Sequence, residues 1–404
     1  MLLKLAFRNV LRQRVRTTIT LAAIMFGVVG LVLSGGFVKD IFVQLGEAII
    51  QSETGHIQVT RTGFADKGSR QPERYLIEEP SRLVEALSAD PSVRAAFARL
   101  SFSGMLNNGR RDLPIVGEGI EPDKEAQLGT FLKMLDGRPL EAEDMFQAII
   151  GEGVAHVLGL KTGDQVTLLM NTTDGALNTI DLEIVGVFQS FSRDYDARAV
   201  RLPLAAAREL MATTGANRII VTLDETDDTD RTLERIAVSL PEGSLEARSW
   251  KQLSDFYDKT LQLYQRQFDV LKVIILLMVV LSVSNTVSMS TFERLGEFGT
   301  LQALGNTRYS VFRLIMTENA LIGLIGASLG VITGILIALA ISAIGIPMPP
   351  PPSANTGYTA TIRLDAPSIS TAFLIGFSAT VLAAVYPAIR VARTKLVEAL
   401  RQWV

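Results

Sequence analysis

The chain has 404 residues, of which 48% are apolar and 20% charged, and its mean hydropathy is +0.28. This mixture excludes a single soluble domain, and it also excludes a bundle made only of membrane helices. The formal net charge is only −3, and cysteine is absent, so disulfides cannot stabilise any part of the chain in an oxidising compartment.

The first sixteen residues form a basic amphipathic segment. Lys4, Arg8, Arg12 and Arg16 recur at fourfold spacing, with apolar side chains on the other side. This pattern predicts that residues 1–16 form a cytoplasmic elbow helix that lies among lipid headgroups. A basic cluster that only sets the membrane topology is the alternative.

Residues 17–50 predict a membrane helix that continues as a stalk. Thr17–Phe37 is apolar over about the 20 residues that a spanning helix needs. Beyond this stretch, apolar and polar residues keep a helical period as far as Ile50. We therefore expect the first transmembrane helix to extend out of the membrane without a break.

Residues 51–249 alternate short strand and helix patterns, which predicts an α+β domain of two lobes. The predicted strands are His56–Arg61, Val93–Met105, Leu113–Ile120, Gln165–Met170, Asp181–Phe188 and Arg218–Leu223. The predicted helices are Ser81–Ser88, Gly153–Leu158, Leu204–Thr213 and Asp230–Ser239. The block is acidic, because residues 39–265 contain 24 Lys and Arg against 36 Asp and Glu, a net charge of −12.

Three more apolar stretches follow this block. Residues 250–290 predict a second stalk, Trp250–Phe268, which leads without a break into a span at Val273–Ser290. The third span is predicted in residues 311–346, at the apolar stretch Leu321–Ile346, and the fourth in residues 368–389, at the apolar stretch Ile369–Ile389. Residues 347–367 between them contain a proline run, and residues 390–404 form a basic tail. The proline run predicts a polyproline II loop, either a brace or a spacer. We expect the fourth span to end at Tyr386-Pro387.

The third apolar stretch has glycines at helical spacing. Gly323, Gly326, Gly330 and Gly334 fall on one side of the predicted helix. Glycine lets a neighbouring helix approach closely, so this pattern favours helix packing over a substrate path. Glu318 precedes the glycines, and we expect it to lie at the membrane interface.

Charge placement predicts the orientation of the four spans. Basic residues precede the first span and follow the last one. By the positive-inside rule, both termini should then be cytoplasmic. An even number of spans places residues 39–265 on the opposite side of the membrane.

A short amphipathic helix is predicted at Glu293–Gly305, within residues 291–310. Its apolar residues are Phe298, Leu301 and Leu304, and its charged residues are Glu293, Arg294 and Glu297. Gly305 and Asn306 predict its end, and Thr307 predicts the N-cap of the next helix. Because so short a helix is marginal alone in water, we expect it to lie against a partner.

The run ERLGEFGTLQALG (293–305), which includes Gly296, precedes Glu318 and the glycine-rich span. It resembles the coupling region of the FtsX-like permeases, a group that includes MacB-type exporters and lipoprotein-releasing LolC/LolE-type subunits. The segments PIVGEGIEP (114–122), GEGVAHVLGLKTGDQVTLL (151–169) and IVGVFQS (184–190) resemble the periplasmic core domain of MacB-type permeases. The tail resembles the family's ending, with Lys395 and Leu396 in place of its usual proline.

This resemblance implies an α-helical membrane protein with four transmembrane helices. A large α+β extracytoplasmic domain of the MacB-type periplasmic core would lie between helices 1 and 2. The family's location implies a multi-pass protein of the bacterial inner membrane with a periplasmic domain. Family members pair two permease subunits, identical or homologous, with two copies of a cytoplasmic ABC ATPase.

The resemblance also assigns roles in ATPase docking. The implied docking residues are Glu293, Arg294, Gly296, Glu297, Phe298, Leu301, Leu304 and Gly305. Phe298, Leu301 and Leu304 would be the apolar anchors in a cleft of the ATPase. The charged residues of the helix would form the orienting rim.

The sequence has no pattern for nucleotide hydrolysis or metal binding. The string nearest to a Walker A motif, Gly159–Gly163, lacks the GxxxxGK[ST] spacing. His56 and His156 lie far apart and lack HExxH or cysteine support. We therefore expect no enzyme activity, cofactor or metal in this chain, with ATP and Mg bound by the partner ATPase. The expected environment is membrane lipid, and no nucleic acid partner is expected.

Three functions are compatible with this arrangement. The first is the extraction or release of lipoproteins or other membrane-anchored lipophilic substrates to a periplasmic carrier, favoured because GGFVKDIF (35–42), GHIQV (55–59) and the absence of a fused ATPase resemble the LolC/LolE-type arrangement. The second is MacB-like efflux of small amphiphiles with an adaptor and an outer-membrane duct. The third is FtsX-like regulation of a periplasmic hydrolase.

Overall fold

The computed structural model of the protein describes residues 6–9, 12, 14–68, 71–126, 128, 132–241, 243–350, 355 and 357–394. These residues divide into two compact units. The helical unit is drawn from Met1–Phe42, Leu261–Pro347 and Thr359–Val404, and the α+β unit from Val43–Thr260 and Met348–Tyr358. Half of the predicted elbow at residues 1–16 lies outside the described residues. So does the predicted tail beyond residue 394, including Lys395 and Leu396.

The described part of the chain contains thirteen α-helices and twelve strands. The helices are α1 (Arg14–Ile49), α2 (Phe64–Lys67), α3 (Pro80–Ser88), α4 (Pro122–Glu125), α5 (Glu152–Leu158), α6 (Arg193–Asp196), α7 (Leu204–Met211), α8 (Thr229–Ser239), α9 (Trp250–Leu253), α10 (Asp255–Glu293), α11 (Leu295–Ala303), α12 (Arg308–Ile344) and α13 (Ala366–Arg393). The strands are β1 (Ile57–Arg61), β2 (Val93–Asn107), β3 (Asp112–Ile120), β4 (Lys133–Gly137), β5 (Gln147–Gly151), β6 (Gln165–Asn171), β7 (Leu177–Gln189), β8 (Ala199–Pro203), β9 (Arg218–Leu223), β10 (Leu245–Ser249), β11 (Ile346–Met348) and β12 (Tyr358–Ala360).

Four helices are long and apolar enough to cross a membrane. They are Arg14–Thr54, which includes a π-helical turn after α1, Tyr257–Glu293, Arg308–Ile344 and Ala366–Arg393. The prediction of four spans is therefore confirmed by length and composition. Helical structure continues beyond Phe37 to Thr54, which is the continuous first stalk expected from the sequence.

The second stalk was predicted as a single helical run from Trp250 to Phe268. The structure interrupts this run at Ser254. Ser254 has φ −112° and ψ 89°, which is not helical, and it ends α9. Its hydroxyl oxygen then accepts a hydrogen bond from the Tyr257 N–H (3.2 Å) near the start of α10. Serine favours such N-cap positions, so a capping residue inside a periodic pattern broke the predicted helix.

The helix that contains the fourth span is longer than the apolar stretch, because α13 continues through Pro387 to Arg393. The predicted end of the span at Tyr386-Pro387 stays a prediction. A proline inside a helix removes one backbone donor, and membrane helices tolerate this loss more often than soluble ones do.

The glycines of α12 lie where two other helices approach it. A Cβ added at Gly326 would lie 3.1 Å from Ile24 of α1, and one at Gly330 would lie 2.7 Å from Val28. Gly334 faces Val32 at 3.1 Å in the same way, and Gly323 faces Thr380 of α13 at 3.0 Å. Larger residues at these positions would push the helices apart, so glycine fixes the close packing of α12.

The α+β unit is built on one mixed sheet of ten strands. The strand order is β10-β1-β9-β2-β3-β8-β5-β7-β4, with β6 paired to β2 and β7. The β3–β8 and β5–β7 pairs are parallel and the others antiparallel. The two predicted lobes share β2, because Val93–Arg99 pairs with β9 and Leu100–Asn107 pairs with β3. The predicted α+β class is confirmed.

Four strands of this sheet were not predicted, namely β4, β5, β8 and β10. β8 is buried along its whole length, and β5 is buried in four of its five residues. Neither strand can therefore show the alternation of apolar and polar residues that marks a strand with one wet face.

A buried cluster of charges lies near the middle of the sheet. Glu118 pairs with Arg201, with Nε and Oε2 3.2 Å apart, and more distantly with Arg99, with Nη1 and Oε1 3.6 Å apart. Its Oε2 also accepts a hydrogen bond from Tyr195 Oη (2.7 Å). Arg99, which is fully buried, donates two further hydrogen bonds to the Glu125 carboxylate (2.8 and 2.9 Å). The strand register brings Glu118 and Arg201 together, because they lie opposite each other in the β3–β8 pair.

The loop after β11 is tied into the α+β unit at Asn355. The side-chain Nδ2 of Asn355 donates to the Ser190 carbonyl (3.1 Å) and to the Asp196 carboxylate. Its Oδ1 accepts a hydrogen bond from Arg193 Nε (3.0 Å). Much of the predicted polyproline loop, at residues 351–354, lies outside the described residues.

Candidate coupling site

The candidate site is the short helix α11 with the residues at its two ends. Glu293 ends α10, Arg294 stands between the two helices, and α11 begins at Leu295. The helix therefore starts two residues later than predicted. Gly296 is buried in the first turn, where its carbonyl accepts a hydrogen bond from Thr300 Oγ1 (2.9 Å).

The end of α11 agrees with the sequence signals. Gly305 has φ 96°, a left-handed conformation that glycine adopts at low cost. Thr307 then caps α12, its hydroxyl oxygen accepting from the Ser310 N–H (3.2 Å). The predicted stop and the predicted N-cap are confirmed.

A buried ion pair ties the start of α11 to α12. Arg294 Nη1 lies 2.7 Å from Glu318 Oε2, and only 11% and 10% of the two side chains are exposed. Arg294 Nε also lies 3.0 Å from Glu297 Oε2, and its guanidinium carbon lies 5.0 Å from the centre of the Phe298 ring. The expectation that Arg294 belongs to an exposed docking rim is therefore corrected. So is the expectation that Glu318 is a simple interface residue, because each charge compensates the other in a buried site.

Side chains that precede the first span reach the same site. The contacts are Asn9 Nδ2 with Glu318 Oε1 (2.6 Å), Arg12 Nη2 with Glu297 Oε1 (2.9 Å), and Arg16 with Glu293. These three residues recur at steps of three and four positions, which is the spacing of side chains on one side of a helix. Arg12 and Arg16 of the predicted basic face thus pair with carboxylates of this site, and the position of that face among lipid headgroups stays a prediction.

Phe298 is part of an apolar cluster that fixes α11 on the span helices. Its side chain is 1% exposed and packs with Leu295, Val311, Leu314, Ile315, Ala388 and Val391. Leu301 is half-buried at the edge of the same cluster. The predicted role of Phe298 as an anchor for a partner is therefore corrected, because the residue has no surface to offer and packs within the chain.

The exposed part of the site is the turn that joins α11 to α12, at residues 303–309. Leu304 is 78% exposed and Tyr309 is 67% exposed, and both are large side chains with apolar surface. Sequence reasoning found Leu304 but missed Tyr309, because Tyr309 belongs to the first turn of α12. Arg313 lies over the Tyr309 ring, with its guanidinium carbon 5.7 Å from the ring centre.

The site is a junction at which side chains of several helices pack together. Among the residues that the structure describes, no group of three or more His, Cys, Asp or Glu side chains could hold a metal ion. The charges of the site are instead paired with each other, and the apolar side chains hold three helices together. α11 is therefore held to α12 and α13 by both charged and apolar contacts.

Two family models match the chain. The model of the MacB-like periplasmic core domain matches residues 17–238. The model of the FtsX-like permease C-terminal region matches residues 270–396. The first therefore takes in α1 and most of the α+β unit, and the second takes in the candidate coupling site.

Curated relatives carry related names. An uncharacterized ABC transporter permease of Methanocaldococcus jannaschii is 27% identical over 52% of this chain and 52% of its own, so the match spans about half of that relative. The lipoprotein-releasing system transmembrane protein LolC of Xylella fastidiosa is 22% identical over 77% of this chain and 78% of its own. The corresponding LolE protein of Haemophilus influenzae is 22% identical over 64% of this chain and 63% of its own.

Two solved structures match the α+β part at low similarity. The periplasmic region of MacB from Actinobacillus actinomycetemcomitans is 16% identical, covers 53% of this chain and 95% of that one, and has a TM-score of 0.37. The extracellular domain of the noncanonic ABC-type transporter YknZ from Gram-positive bacteria is 15% identical, covers 48% of this chain and 100% of that one, and has a TM-score of 0.36. Because one family model alone covers more than half of the residues and a second covers the candidate site, the chain belongs to the FtsX-like family of ABC transporter permeases with a MacB-like periplasmic core domain.

Proposed function

We propose that this permease transmits the ATP-driven motion of a separate ABC ATPase to its α+β domain. ATP and Mg bind in that ATPase, and this chain has no catalytic role. One observation carries the proposal, namely that α11 has a fixed side and a free end. Arg294 and Phe298 hold one side of α11 on the spans, whereas Leu304, just after α11, and Tyr309, in the first turn of α12, are exposed at its free end. A partner that pushes on the free end moves the spans.

The motion enters two span helices at once. α10 ends at Glu293, immediately before α11, and runs back without interruption to Asp255. α12 begins four residues after the exposed Leu304 and is joined to the start of α11 through Glu318. A long helix that is displaced at one end carries the displacement to the other end, which is the mechanical role we assign to α10.

The orientation that we propose places α11 in the cytoplasm and the α+β domain in the periplasm. Arg14 and Arg16 stand at the start of α1, and Arg390 and Arg393 stand at the end of α13. Basic residues at the N-terminal end of the first span and at the C-terminal end of the last span favour a cytoplasmic position for both of these ends. The two ATPase copies then meet the exposed turn from the same side.

The substrates that we propose are lipoproteins or other membrane-anchored lipophilic molecules, which the permease extracts together with a second permease subunit. Support comes from the relatives named as lipoprotein-releasing proteins, one of which matches 77% of this chain. We expect photo-crosslinkers at Phe146 and Leu177, which are 63% and 67% exposed, to capture a lipoprotein or its carrier in cells. Capture of a channel adaptor or of a cell-wall hydrolase at both positions would instead identify one of the other two functions.

Leu304→Asp is expected to reduce stimulation of the partner ATPase at least tenfold without lowering the stability of the permease. The side chain is 78% exposed, so the charge is solvated in the free protein and becomes costly only when a partner covers it. The measurement is ATP hydrolysis by the complex reconstituted in lipid, with the thermal midpoint of the free permease recorded beside it.

The matched control is Val238→Asp, which adds the same charge to an 88% exposed apolar site on α8 of the α+β unit. We expect this variant to stimulate the ATPase normally. Copurification and ATP turnover at the wild-type level for Leu304→Asp would show that the exposed turn does not dock the ATPase.

A further inference from the structure

A polar cavity lies inside the helical unit, between α1, α10 and α12 and next to the Arg294–Glu318 pair. Its volume is about 40 Å³, the space of roughly three water molecules. Ten of the twelve residues that line it are polar or charged, and Val287 and Ile322 are the two apolar ones. Apolar cavities stay empty, whereas a cavity lined by polar groups holds water or a polar ligand.

Three threonines that line the cavity have given their hydroxyl hydrogens to their own helices. The bonds run from Thr20 Oγ1 to the Arg16 carbonyl (3.0 Å), from Thr286 Oγ1 to the Ser282 carbonyl (2.9 Å), and from Thr291 Oγ1 to the Val287 carbonyl (2.8 Å). A hydroxyl group has one donor and two acceptor lone pairs, so each of these oxygens can still accept hydrogen bonds. The cavity therefore suits a ligand that donates.

Arg16 supplies the cavity with a donor that lacks an acceptor. Its Nη2 pairs with Glu293. Its Nη1 is buried and forms no hydrogen bond with any residue that the structure describes. A buried donor of a charged group is costly to leave unpaired. A ligand that also carries an acceptor would remove this cost.

The charges around the cavity cancel. The charged residues that line it, together with the residues that pair with them, are Arg12, Arg16, Arg294, Glu293, Glu297 and Glu318. This set has three positive and three negative members, so neither an anion nor a cation meets an uncompensated opposite charge. The ligand that fits has no net charge, with N–H donors in one part and an acceptor in another.

We propose that this cavity binds the phosphoethanolamine headgroup of a membrane phospholipid. The ammonium group donates to the threonine hydroxyls, and the phosphate accepts a hydrogen bond from Arg16 Nη1. A primary ammonium has three N–H donors and no acceptor, which complements hydroxyl oxygens that have already donated. The phosphate and the ammonium are joined by two carbons and cancel in charge, so one headgroup meets both requirements.

The cavity lies at the depth where lipid headgroups begin. Arg16 directly precedes the first apolar stretch, Thr17–Phe37, and Thr291 directly follows the second, Val273–Ser290. Because each stretch is about as long as a membrane span, these two residues stand at the edge of the hydrocarbon core. A phospholipid is therefore the source that we infer for the headgroup. The site rests on the proposed function only for the side of the membrane, which is the cytoplasmic one.

Native mass spectrometry of the full chain in detergent tests the site, because it counts bound lipid molecules. The probes are the dioleoyl forms of phosphatidylethanolamine, phosphatidylcholine and phosphatidylglycerol. We expect phosphatidylethanolamine to bind roughly tenfold more tightly than phosphatidylcholine, whose ammonium carries three methyl groups and no N–H donor. Equal affinity for these two lipids, tighter binding of the anionic phosphatidylglycerol, or binding of none of the three would each overturn the proposal.

Thr286→Val and Thr20→Val assign the ammonium to this cavity, because valine keeps the size of threonine but removes the hydroxyl. We expect each variant to lose roughly tenfold in affinity for phosphatidylethanolamine and to bind phosphatidylcholine as before. The matched control is Thr317→Val on α12. The Thr317 hydroxyl also donates to its own helix, at the Arg313 carbonyl (2.7 Å), but Thr317 is exposed and does not line the cavity.

Arg16→Gln tests the phosphate contact separately. Both lipids carry a phosphate, so we expect this variant to bind both more weakly. Wild-type lipid binding by the two threonine variants, or an equal loss in Thr317→Val, would overturn the position of the ammonium. Unchanged binding by Arg16→Gln would overturn the phosphate contact. These measurements involve no ATPase, so their failure would leave the proposed coupling function standing.

Discussion

Glu118→Gln is expected to destabilise the α+β domain by about 3–5 kcal/mol, the usual cost of removing one charge from a buried ion pair. The substitution keeps the size of the side chain but leaves Arg99 and Arg201 without the carboxylate that lies between them. Arg201 is 4% exposed and Arg99 is not exposed at all, so water cannot replace the lost partner. The free energy of unfolding is measured by denaturant titration of the full chain in detergent.

Tryptophan fluorescence provides the signal for this titration. The chain has two tryptophans, Trp250 and Trp403, and Trp250 is 3% exposed within the α+β unit. In a Trp403→Phe background, the fluorescence therefore reports on this unit alone. Glu79→Gln is the control, because Glu79 is 74% exposed and its ion pair with Arg82 contributes little. Equal unfolding midpoints for the two variants would refute a structural role for the buried cluster.

The same cluster gives this prediction a pH dependence. Burial raises the pKa of Glu118, but the charges of Arg99, Arg201 and Arg218 outweigh burial and lower the pKa to about 2. A carboxyl group with a depressed pKa stabilises the folded state above its unfolded pKa, near 4.5, and this contribution is lost as pH falls through about 2. The contribution is on the order of 3 kcal/mol. Wild-type protein should lose stability over this range, and Glu118→Gln should lose less.

The features that could be predicted from the sequence are those with local causes. The four spans follow from apolar length, and the end of α11 follows from Gly305 and the cap of α12 from Thr307. The break at Ser254 also has a local cause, but the periodic pattern around it concealed the cap. β5 and β8 were missed because burial on both faces removes the alternation that identifies a strand.

The features that could not be predicted depend on contacts between distant residues. Periodicity identified the apolar side of α11, but it could not show that the ends of α12 and α13 cover Phe298. Arg294 and Glu318 are 24 positions apart, and Asn9 is 309 positions from Glu318. No local pattern pairs them, so Arg294 and Glu318 were predicted as separate residues, and Asn9 was not singled out, where the structure brings the three together. The charge cluster around Glu118 was missed for the same reason.

Arg294→Met and Glu318→Leu are each expected to cost about 3–5 kcal/mol of stability, because each leaves one buried charge without its partner. The double variant is expected to recover most of that stability, since an apolar pair of similar volume commonly replaces a buried ion pair at little cost. The measurement is a double-mutant cycle on thermal unfolding of the permease in detergent. Asp269→Leu with Lys272→Met, an exposed pair on α10, is the control and should show little coupling.

Stability alone would not separate a coupling role from a packing role, so the decisive measurement is ATPase stimulation by the double variant. Arg294 also bonds Glu297 and lies over Phe298, and these directed contacts set the angle at which α11 leaves α10. Methionine fills the volume but supplies no such direction. We therefore expect the double variant to be stable, to bind the ATPase through its intact Leu304, and to stimulate it at least tenfold less than wild type. Full stimulation by a stable double variant would assign the pair to packing alone, and neutral single variants would show that the two charges do not meet in the membrane.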